Sequence, residues 1–260
     1  MTIPGPSDRW LYVDGWDLGS AGFLGEFVPA AIEEVLTDVT GPASTAPAML
    51  PSGFSRADDL HIPLWADSTL QDLLDDWYGV TPSDRTKERV ICYGWTGQPA
   101  LPDSGTPVKF EGALGRLSKV EVRAPNEQLS LMDTTFKLGN KPKGVELGEV
   151  LMPLTTVTAD DDTEGDSSDN GAASTAGGAA YIQCTALTLD DATGLDVEVI
   201  DSDDNITFGT LVAFTTLVAG KVAERVTVAG TVEQYLAVSH EWDAAPADDE
   251  ATIFVGFARH

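Results

Sequence analysis

Alternation of apolar and polar residues is the dominant pattern of this chain, and it predicts β-strands. In "ADDLHIPLW", Leu60, Ile62 and Leu64 alternate with the polar residues Asp59 and His61. A two-residue period of this kind indicates a strand with one face packed inside and one face toward water. "SKVEVRA" repeats the pattern with valines and charged residues.

Further short strands are predicted along the whole chain, separated by turns rich in Gly, Pro, Asn and Asp. The Asp14-Gly15 dipeptide after "LYV" predicts a tight hairpin turn. Residues 41–54, dominated by Pro, Ala, Ser and Gly, are expected to form a long loop. The strand candidates are "AAIEEVLTDV", "ERVICYGW", "TPVKFEGAL", "EQLSLMDTTFKLG", "VELGEVLMPL", "AAYIQCTAL", "LDVEVIDS", "TLVAFTTL", "ERVTVAG", "QYLAVSHEW" and "ATIFVGFAR".

One segment has helical rather than strand periodicity. In "ADSTLQDLLDDWYG", Leu70, Leu73, Leu74 and Trp77 recur at the spacing of one helix face, and Gly79 ends the pattern. We expect these four side chains to pack a helix against the core.

Composition shifts at the stretch "TADDDTEGDSSDNGAASTAGG". Residues 1–158 include 12 basic and 22 acidic residues, whereas the shorter segment 159–260 includes 3 basic and 20 acidic residues. We therefore predict a mostly β domain with one α-helix over 1–158, an acidic Gly/Ser/Ala-rich linker over 159–178, and an all-β sandwich over 179–260.

The acidic stretch also resembles half of a calcium loop. Asp160, Asp162, Glu164 and Gly165 fit its first positions, but Gly171 stands where a bidentate Glu is required. The missing ligand favours a linker over a metal site, so no metal is expected here.

The net charge of −27 is the strongest compositional signal. Such a field repels phosphates, which argues against high-affinity nucleic-acid binding. The excess of Asp over Lys resembles the composition of proteins from extreme halophiles, and we expect the fold to loosen when salt no longer screens the carboxylates.

Catalytic motifs are scarce, and an enzyme is not expected. The chain has three His residues, no zinc-binding His spacing, no nucleophile elbow and no phosphate-binding loop. A triad of scattered residues stays open in principle. We predict no catalytic residues and no cofactor.

Trp242, within "HEWDAAPADDE", offers an alternative chemistry. An exposed Trp beside carboxylates could contact a glycan, although a surface turn explains the same residues. Cys92 and Cys184 are expected to be buried free thiols. Neither a signal peptide nor a membrane-spanning run is expected.

Several of these segments together resemble the tail tube proteins of long, non-contractile-tailed viruses. "LYVDGWDLG" resembles the opening strand and turn of an actinobacterial-virus branch of that family, and "GVELGEVLMPL" resembles its closing segment. "LDVEVIDSDDNITFGTLVAF", "AERVTVAGTVEQYLAVSHEW" and "ATIFVGFAR" resemble a β-sandwich appended to some of these proteins. The acidity departs from that branch and suggests a haloarchaeal virus.

The resemblance implies a tail-tube-like β-sandwich or β-barrel domain with one α-helix over 1–158 and a β-sandwich decoration domain over 179–260. It implies hexameric rings that stack into a tube and partners that include further copies, a tape-measure protein and tail-terminator or distal tail proteins. DNA would meet the protein only in transit, and the protein would be located in the virion tail after assembly in the host cytoplasm. Glu34, Asp38 and Asp59, on the polar faces of predicted strands, are candidates for the lumen, with bulk solvent the equal alternative.

Besides an enzyme built on a scattered triad, two other functions are alternatives for the same sequence. One is a capsid decoration protein, and the other is a host-adhesion module that binds carbohydrate through the second domain.

Overall fold

A computed structural model gives the three-dimensional structure and describes residues 10–19, 32–38, 49–57, 59–65, 77, 87–94, 108–126, 129–138, 145–161, 167–246 and 248–260. Within these residues the chain is almost entirely β, as the alternation predicts. The strands are β1 (Trp10–Val13), β2 (Trp16–Asp17), β3 (Ile32–Asp38), β4 (Met49–Ala57), β5 (Leu60–Trp65), β6 (Arg89–Gly94), β7 (Lys109–Asn126), β8 (Leu129–Leu138), β9 (Val145–Val157), β10 (Ser168–Asp169), β11 (Gly178–Thr188), β12 (Leu195–Ser202), β13 (Gly209–Ala213), β14 (Val222–Val228), β15 (Tyr235–Trp242) and β16 (Glu250–Arg259).

The chain divides into two compact units that are not consecutive in sequence. Unit 1 comprises Met1–Ala21, Arg89–Gly112 and Leu147–His260, and unit 2 comprises Gly22–Glu88 and Ala113–Glu146. This division does not coincide with the predicted boundary after residue 158. Strands β9 and β11 flank the acidic stretch and both pair with β16, so long-range pairing holds the two sides of the predicted linker in one sheet.

Unit 1 contains two antiparallel sheets. The first runs in the order β14, β11, β16, β9, the start of β7, β6, β1 and β2, and the second in the order β10, β15, β12 and β13. Buried side chains from both sheets form one apolar core, which includes Ile182, Val199, Phe214, Val238 and Ile253. Two sheets that enclose one core agree with the β-sandwich predicted for this part of the chain.

Strand β11 is buried on both faces. Ala180, Ile182 and Cys184 belong to the core shared with the second sheet. Tyr181 and Gln183 alternate with them and are 0% exposed, so the opposite face is also covered. This double coverage explains why "GAAYIQC" reads as a nearly continuous apolar run rather than an alternating one.

Aromatic side chains fill the second face of this sheet. The rings of Trp10, Tyr12 and Phe254 lie 5.0 to 5.2 Å apart between centroids. Phe110 meets Tyr181 edge to face at 5.5 Å and Phe254 at 5.7 Å. Residues near the N-terminus and the C-terminus thus share one core, with an aromatic geometry that adds to the burial of area.

Unit 2 is built around strands β5, β8 and the second part of β7. Leu60, Ile62 and Leu64 are all 0% exposed, which confirms the alternation predicted for β5. Among the described residues β5 pairs with β8 alone, so Pro63 lies in an edge strand, where its missing N–H costs little.

The predicted helix is described at one residue. Trp77 is helical, 0% exposed, and meets Phe136 edge to face at 5.4 Å. Leu70, Leu73 and Leu74 lie outside the described residues, and the helix that they predict stays a prediction.

Part of the predicted 41–54 loop is a strand. Strand β4 begins at Met49, so the expectation of a loop is wrong for residues 49–54. Pro51 and Gly53 suggested a loop because they disfavour regular strands. The structure accommodates them at an irregularity of pairing between β4 and β3.

The described part of the acidic stretch is hydrogen-bonded rather than free. Asp161 exchanges two backbone hydrogen bonds with His240, and Ser168 and Asp169 pair with β15. Gly171 is exposed with a φ of 76° and donates its N–H to Asp169 at 2.7 Å. Asp162, Glu164 and Gly165 of the calcium-like pattern lie outside the described residues.

Cys92 and Cys184 are free and buried, as predicted. Burial raises the pKa of the Cys92 thiol to about 12 and that of Cys184 to about 11. In the part of the chain that the structure describes, no helix has the length and apolar character needed to cross a membrane.

Candidate assembly surfaces and a buried polar lock

Strands β3 and β4 form a two-stranded sheet of their own. Glu34 pairs with Ser55, and Asp38 pairs with Met49 at the other end of the ladder. Between them the register shifts, with the three residues 52–54 standing opposite Val35. Within the described residues both outer edges of this hairpin lack a strand partner, which is a marginal arrangement for an isolated hairpin in water.

A polar groove crosses the open face of the β5–β8–β7 sheet in unit 2. It encloses about 460 Å³ and is lined by Asp59, His61, Ser118, Lys119, Glu121, Asp133, Thr135 and Lys137. Lys119 pairs with Glu121 at 2.7 Å, and the His61 ring is 3.2 Å from the Thr135 hydroxyl. Three carboxylates and two ammonium groups make this surface mixed in charge rather than acidic.

The three lumen candidates all lie in unit 2, but in two different elements. Glu34 and Asp38 occupy the first strand of the hairpin, and Asp59 stands before β5 as a half-buried wall of the groove. Their assignment to a lumen stays a prediction. The lysines beside Asp59 weaken the repulsion of phosphate expected from that position.

Trp242 does not have the exposure that a glycan contact needs. Its side chain is 3% exposed and belongs to the apolar core of unit 1. Its backbone N–H donates to the Asp160 carboxylate at 2.8 Å. The ring faces are covered, so the structure removes the basis for a sugar stacked on this residue.

The tight turn near the N-terminus is fixed by a buried polar lock, which we define as Asp14, Gly15, Arg89 and Gln183. Asp14 and Gly15 have φ values of 51° and 83°, as a two-residue turn of this class requires. Arg89 contacts the Asp14 carboxylate at 2.5 Å, with side-chain exposures of 2% and 6%.

Gln183 connects this turn to strand β11. Its Oε1 accepts the Gly15 N–H at 2.7 Å, and its Nε2 donates to the Val90 carbonyl at 3.0 Å. The sequence reasoning missed this residue. Its signal was a single polar side chain inside the apolar run "GAAYIQC", since such a residue is buried only with hydrogen-bond partners.

The lock also explains why glycine follows Asp14. A Cβ on Gly15 would lie 2.4 Å from the Lys221 backbone. Lys221 itself has a φ of 58°, and its ammonium stands 3.6 Å above the Trp16 ring. The N-terminal turn is therefore pressed against the loop before β14, with a cation–π contact beside it.

His240 borders a second cavity, in unit 1. The cavity measures about 310 Å³ and lies between the end of β9, residues 158–161 and β15. Burial lowers the pKa of the His240 imidazole, and the nearby charges of Asp161 and Asp160 oppose that effect. Among the residues that the structure describes, no three His, Cys, Asp or Glu side chains are grouped to hold a metal.

Comparisons with known proteins give only distant similarities. No protein-family model matches the chain, and no curated protein matches it. It is similar to the crystal structure of the SPP1 Dit (gp 19.1) protein, described as a paradigm of the hub adsorption apparatus in phages that infect Gram-positive hosts. The identity is 12% and the TM-score 0.32, with 96% of this chain and 99% of that chain covered.

Two baseplate structures show similarity at the same level. The anti-feeding prophage baseplate gives 10% identity and a TM-score of 0.36 over 56% of this chain and 97% of that chain. The phage p2 baseplate in its activated conformation with Sr gives 10% identity and a TM-score of 0.35, with 97% of this chain and 98% of that chain covered. TM-scores this low do not establish a common fold.

Proposed function

We propose that this chain is a structural subunit of a virus tail, and that its copies form closed rings through hairpin β3–β4. The observation that carries the proposal is that, among the described residues, β3 and β4 pair only with each other and have no strand on either outer edge. The resemblance of "LYVDGWDLG" and "GVELGEVLMPL" to tail tube proteins supports it.

Ring formation would give hydrogen-bond partners to the backbone groups at the edges of the hairpin. Unpaired N–H and C=O groups along a strand edge invite pairing with another chain. When identical subunits pair edge to edge around an axis, the sheet closes and no edge remains. Pairing between subunits would therefore stabilise both the hairpin and the ring.

The charge suits passage of DNA without retention. Unit 2 has 9 basic and 16 acidic residues, a net charge of −7, and unit 1 has 6 and 26, a net charge of −20. Both units carry a net negative charge, so the overall field of each repels phosphates. The proposal also includes what the family resemblance implies. These implied features are tape-measure, tail-terminator and distal tail proteins as partners, hexameric symmetry, and a location in the virion tail.

The predicted domains enter the proposal with one change. Residues 179–260 were expected to form the decorating domain. Because they share a core with β1 and β9, which lie in the tail-tube-like segments "LYVDGWDLG" and "GVELGEVLMPL", they would decorate the tube as an extension of that module and not as a separate domain.

Electron microscopy of the full chain in molar salt tests assembly. Six-fold rings are expected, and stacked rings would mark a tube, whereas single rings would mark a hub at the tail end. Val35→Pro in β3 should prevent ring formation, while Val212→Pro in β13, an edge strand of unit 1, should leave it intact. Folded monomers of the unchanged chain at every concentration would overturn the proposal in favour of a decoration or adhesion protein.

The lumen assignment has its own test. Virions assembled with Glu34→Lys and Asp38→Lys together should contain normal tails but deliver DNA more slowly, because lysines would hold the passing phosphates. Delivery at the unchanged rate would place these two residues outside the lumen.

A further inference from the structure

Three side chains from two segments of unit 1 meet at one carboxylate on a third segment. Lys109 at the start of β7 pairs with Oε1 of Glu149 on β9. The Asn170 carboxamide, with Nδ2 turned toward Glu149, donates to Oε1 at 2.9 Å and to Oε2 at 2.7 Å. Ser168 donates its hydroxyl to Oε2 at 3.0 Å. The amine and the amide thus both contact Oε1 of a carboxylate that is 14% exposed.

We propose that Lys109 and Asn170 join through an intramolecular isopeptide bond, with Glu149 as the proton carrier. The neutral Nζ attacks Cγ of Asn170, a new C–N bond forms, and the bond from Cγ to Nδ2 breaks. Glu149 takes the proton from Nζ and passes it to the departing nitrogen, which leaves as ammonia. Atoms and charges balance without an oxidant or any other reagent.

The backbone around the three residues holds them in place. The Val150 N–H donates to the Val108 carbonyl at 2.8 Å, which fixes the position of Lys109 relative to Glu149. The Asn170 N–H donates to the Gln234 carbonyl at 3.1 Å, which fixes the amide against the start of β15. Groups held in this way react as if highly concentrated, which compensates for the low reactivity of an amide.

The reaction needs a neutral amine as its nucleophile. Alkaline conditions favour amine nucleophiles in general, so the bond should form faster near pH 9 than at pH 7. The product would tie residue 109 to residue 170 across β9, and would attach the acidic stretch covalently to the first sheet.

The mass of the intact chain, purified and kept in molar salt, is the direct measurement. A bond lowers it by about 17 Da through loss of ammonia, and peptide mapping should recover the 109 and 170 peptides as one branched product. Lys109→Arg, which keeps the charge, and Glu149→Gln, which keeps the shape, should each abolish the loss. Lys119→Arg, in an exposed pair with Glu121, should retain it.

Other masses would overturn the proposal. An unchanged mass after incubation near pH 9 would leave only an ion pair. A gain of about 1 Da would indicate deamidation of Asn170, which precedes Gly171, and not a crosslink. A loss of about 17 Da that persists in Lys109→Arg would assign the reaction to another site.

Discussion

Strand β11 of unit 1 is covered on both faces, whereas strand β5 of unit 2 has one apolar face and one face that opens into a polar groove. In unit 1 the second face is closed by the chain itself, through the aromatic cluster and the buried polar lock. In unit 2 the hairpin edges and the groove stay open in the described residues. Under the proposed ring, neighbouring copies cover the hairpin edges of unit 2, whereas both faces of β11 in unit 1 are already covered within one copy.

The two units also differ in charge density. Unit 1 carries a net charge of −20 over 159 residues, and unit 2 carries a net charge of −7 over 101 residues. Self-repulsion is therefore concentrated in unit 1. Packing and salt screening must together offset it there.

The largest effect is expected from breaking the lock. Arg89→Met leaves the Asp14 carboxylate buried beside a side chain that cannot pair with it, and should cost about 3–5 kcal/mol of unfolding free energy. Arg116→Met, which removes a surface pair with Glu88 at 3.5 Å in unit 2, should cost less than about 1 kcal/mol. Denaturant unfolding in molar salt measures both, and equal losses would contradict the distinction between the two units.

A smaller loss should follow from Gly15→Ala. The new methyl group would meet the Lys221 backbone at a positive φ, and we expect a cost of about 2–3 kcal/mol. Gly230→Ala provides a matched control, because its φ is also positive at 97° but nothing lies within 4 Å. The control should cost about 1 kcal/mol. If thermal unfolding shows a larger loss for Gly230→Ala than for Gly15→Ala, the close contact between Gly15 and the Lys221 backbone does not contribute to stability.

Lowering the salt concentration should separate the units. Because screening lengths grow as salt falls, the more highly charged unit 1 should lose amide protection at a higher salt concentration than the β5–β8 ladder of unit 2. Hydrogen exchange across a salt series measures this order. Unit 2 losing protection first would show that packing, and not charge, decides salt sensitivity.

The smallest effect concerns pH. Burial lowers the pKa of His240 in the folded state, so the folded chain binds fewer protons than the unfolded chain. The stability that neutral His240 provides is present above about pH 6.5 and is lost as pH falls through the lower folded value. His240→Gln should flatten the slope of the unfolding free energy against pH. A slope that survives in His240→Gln would assign the effect to other groups.

Local sequence patterns predicted many of the strands but missed the start of β4, and they did not predict which strands pair. The alternation of Leu60, Ile62 and Leu64 gave the buried face of β5, and Asp14-Gly15 gave the turn. Both are encoded by neighbouring residues. The pairing of β9 with β16 joins residues about a hundred positions apart, and no local pattern encodes it. This is why the predicted boundary after 158 and the observed units differ.

The candidate sites show the same limit. The acidic neighbours of Trp242 predict a surface residue, but the packing of the opposite sheet determines that its side chain is buried. Lys109, Glu149 and Asn170 are ordinary residues in sequence, and become a reactive set only when β7, β9 and the segment after β10 meet.

The central claim, that neighbouring copies complete hairpin β3–β4, is tested most directly by amide hydrogen exchange of these two strands. Exchange is compared between the dilute monomer and the assembled protein in the same molar salt. The account predicts fast exchange of these amides in the monomer and strong protection after assembly, with β11 and β16 protected in both. Equal protection of β3 and β4 in the monomer would contradict it, because the hairpin would then be complete without a neighbour.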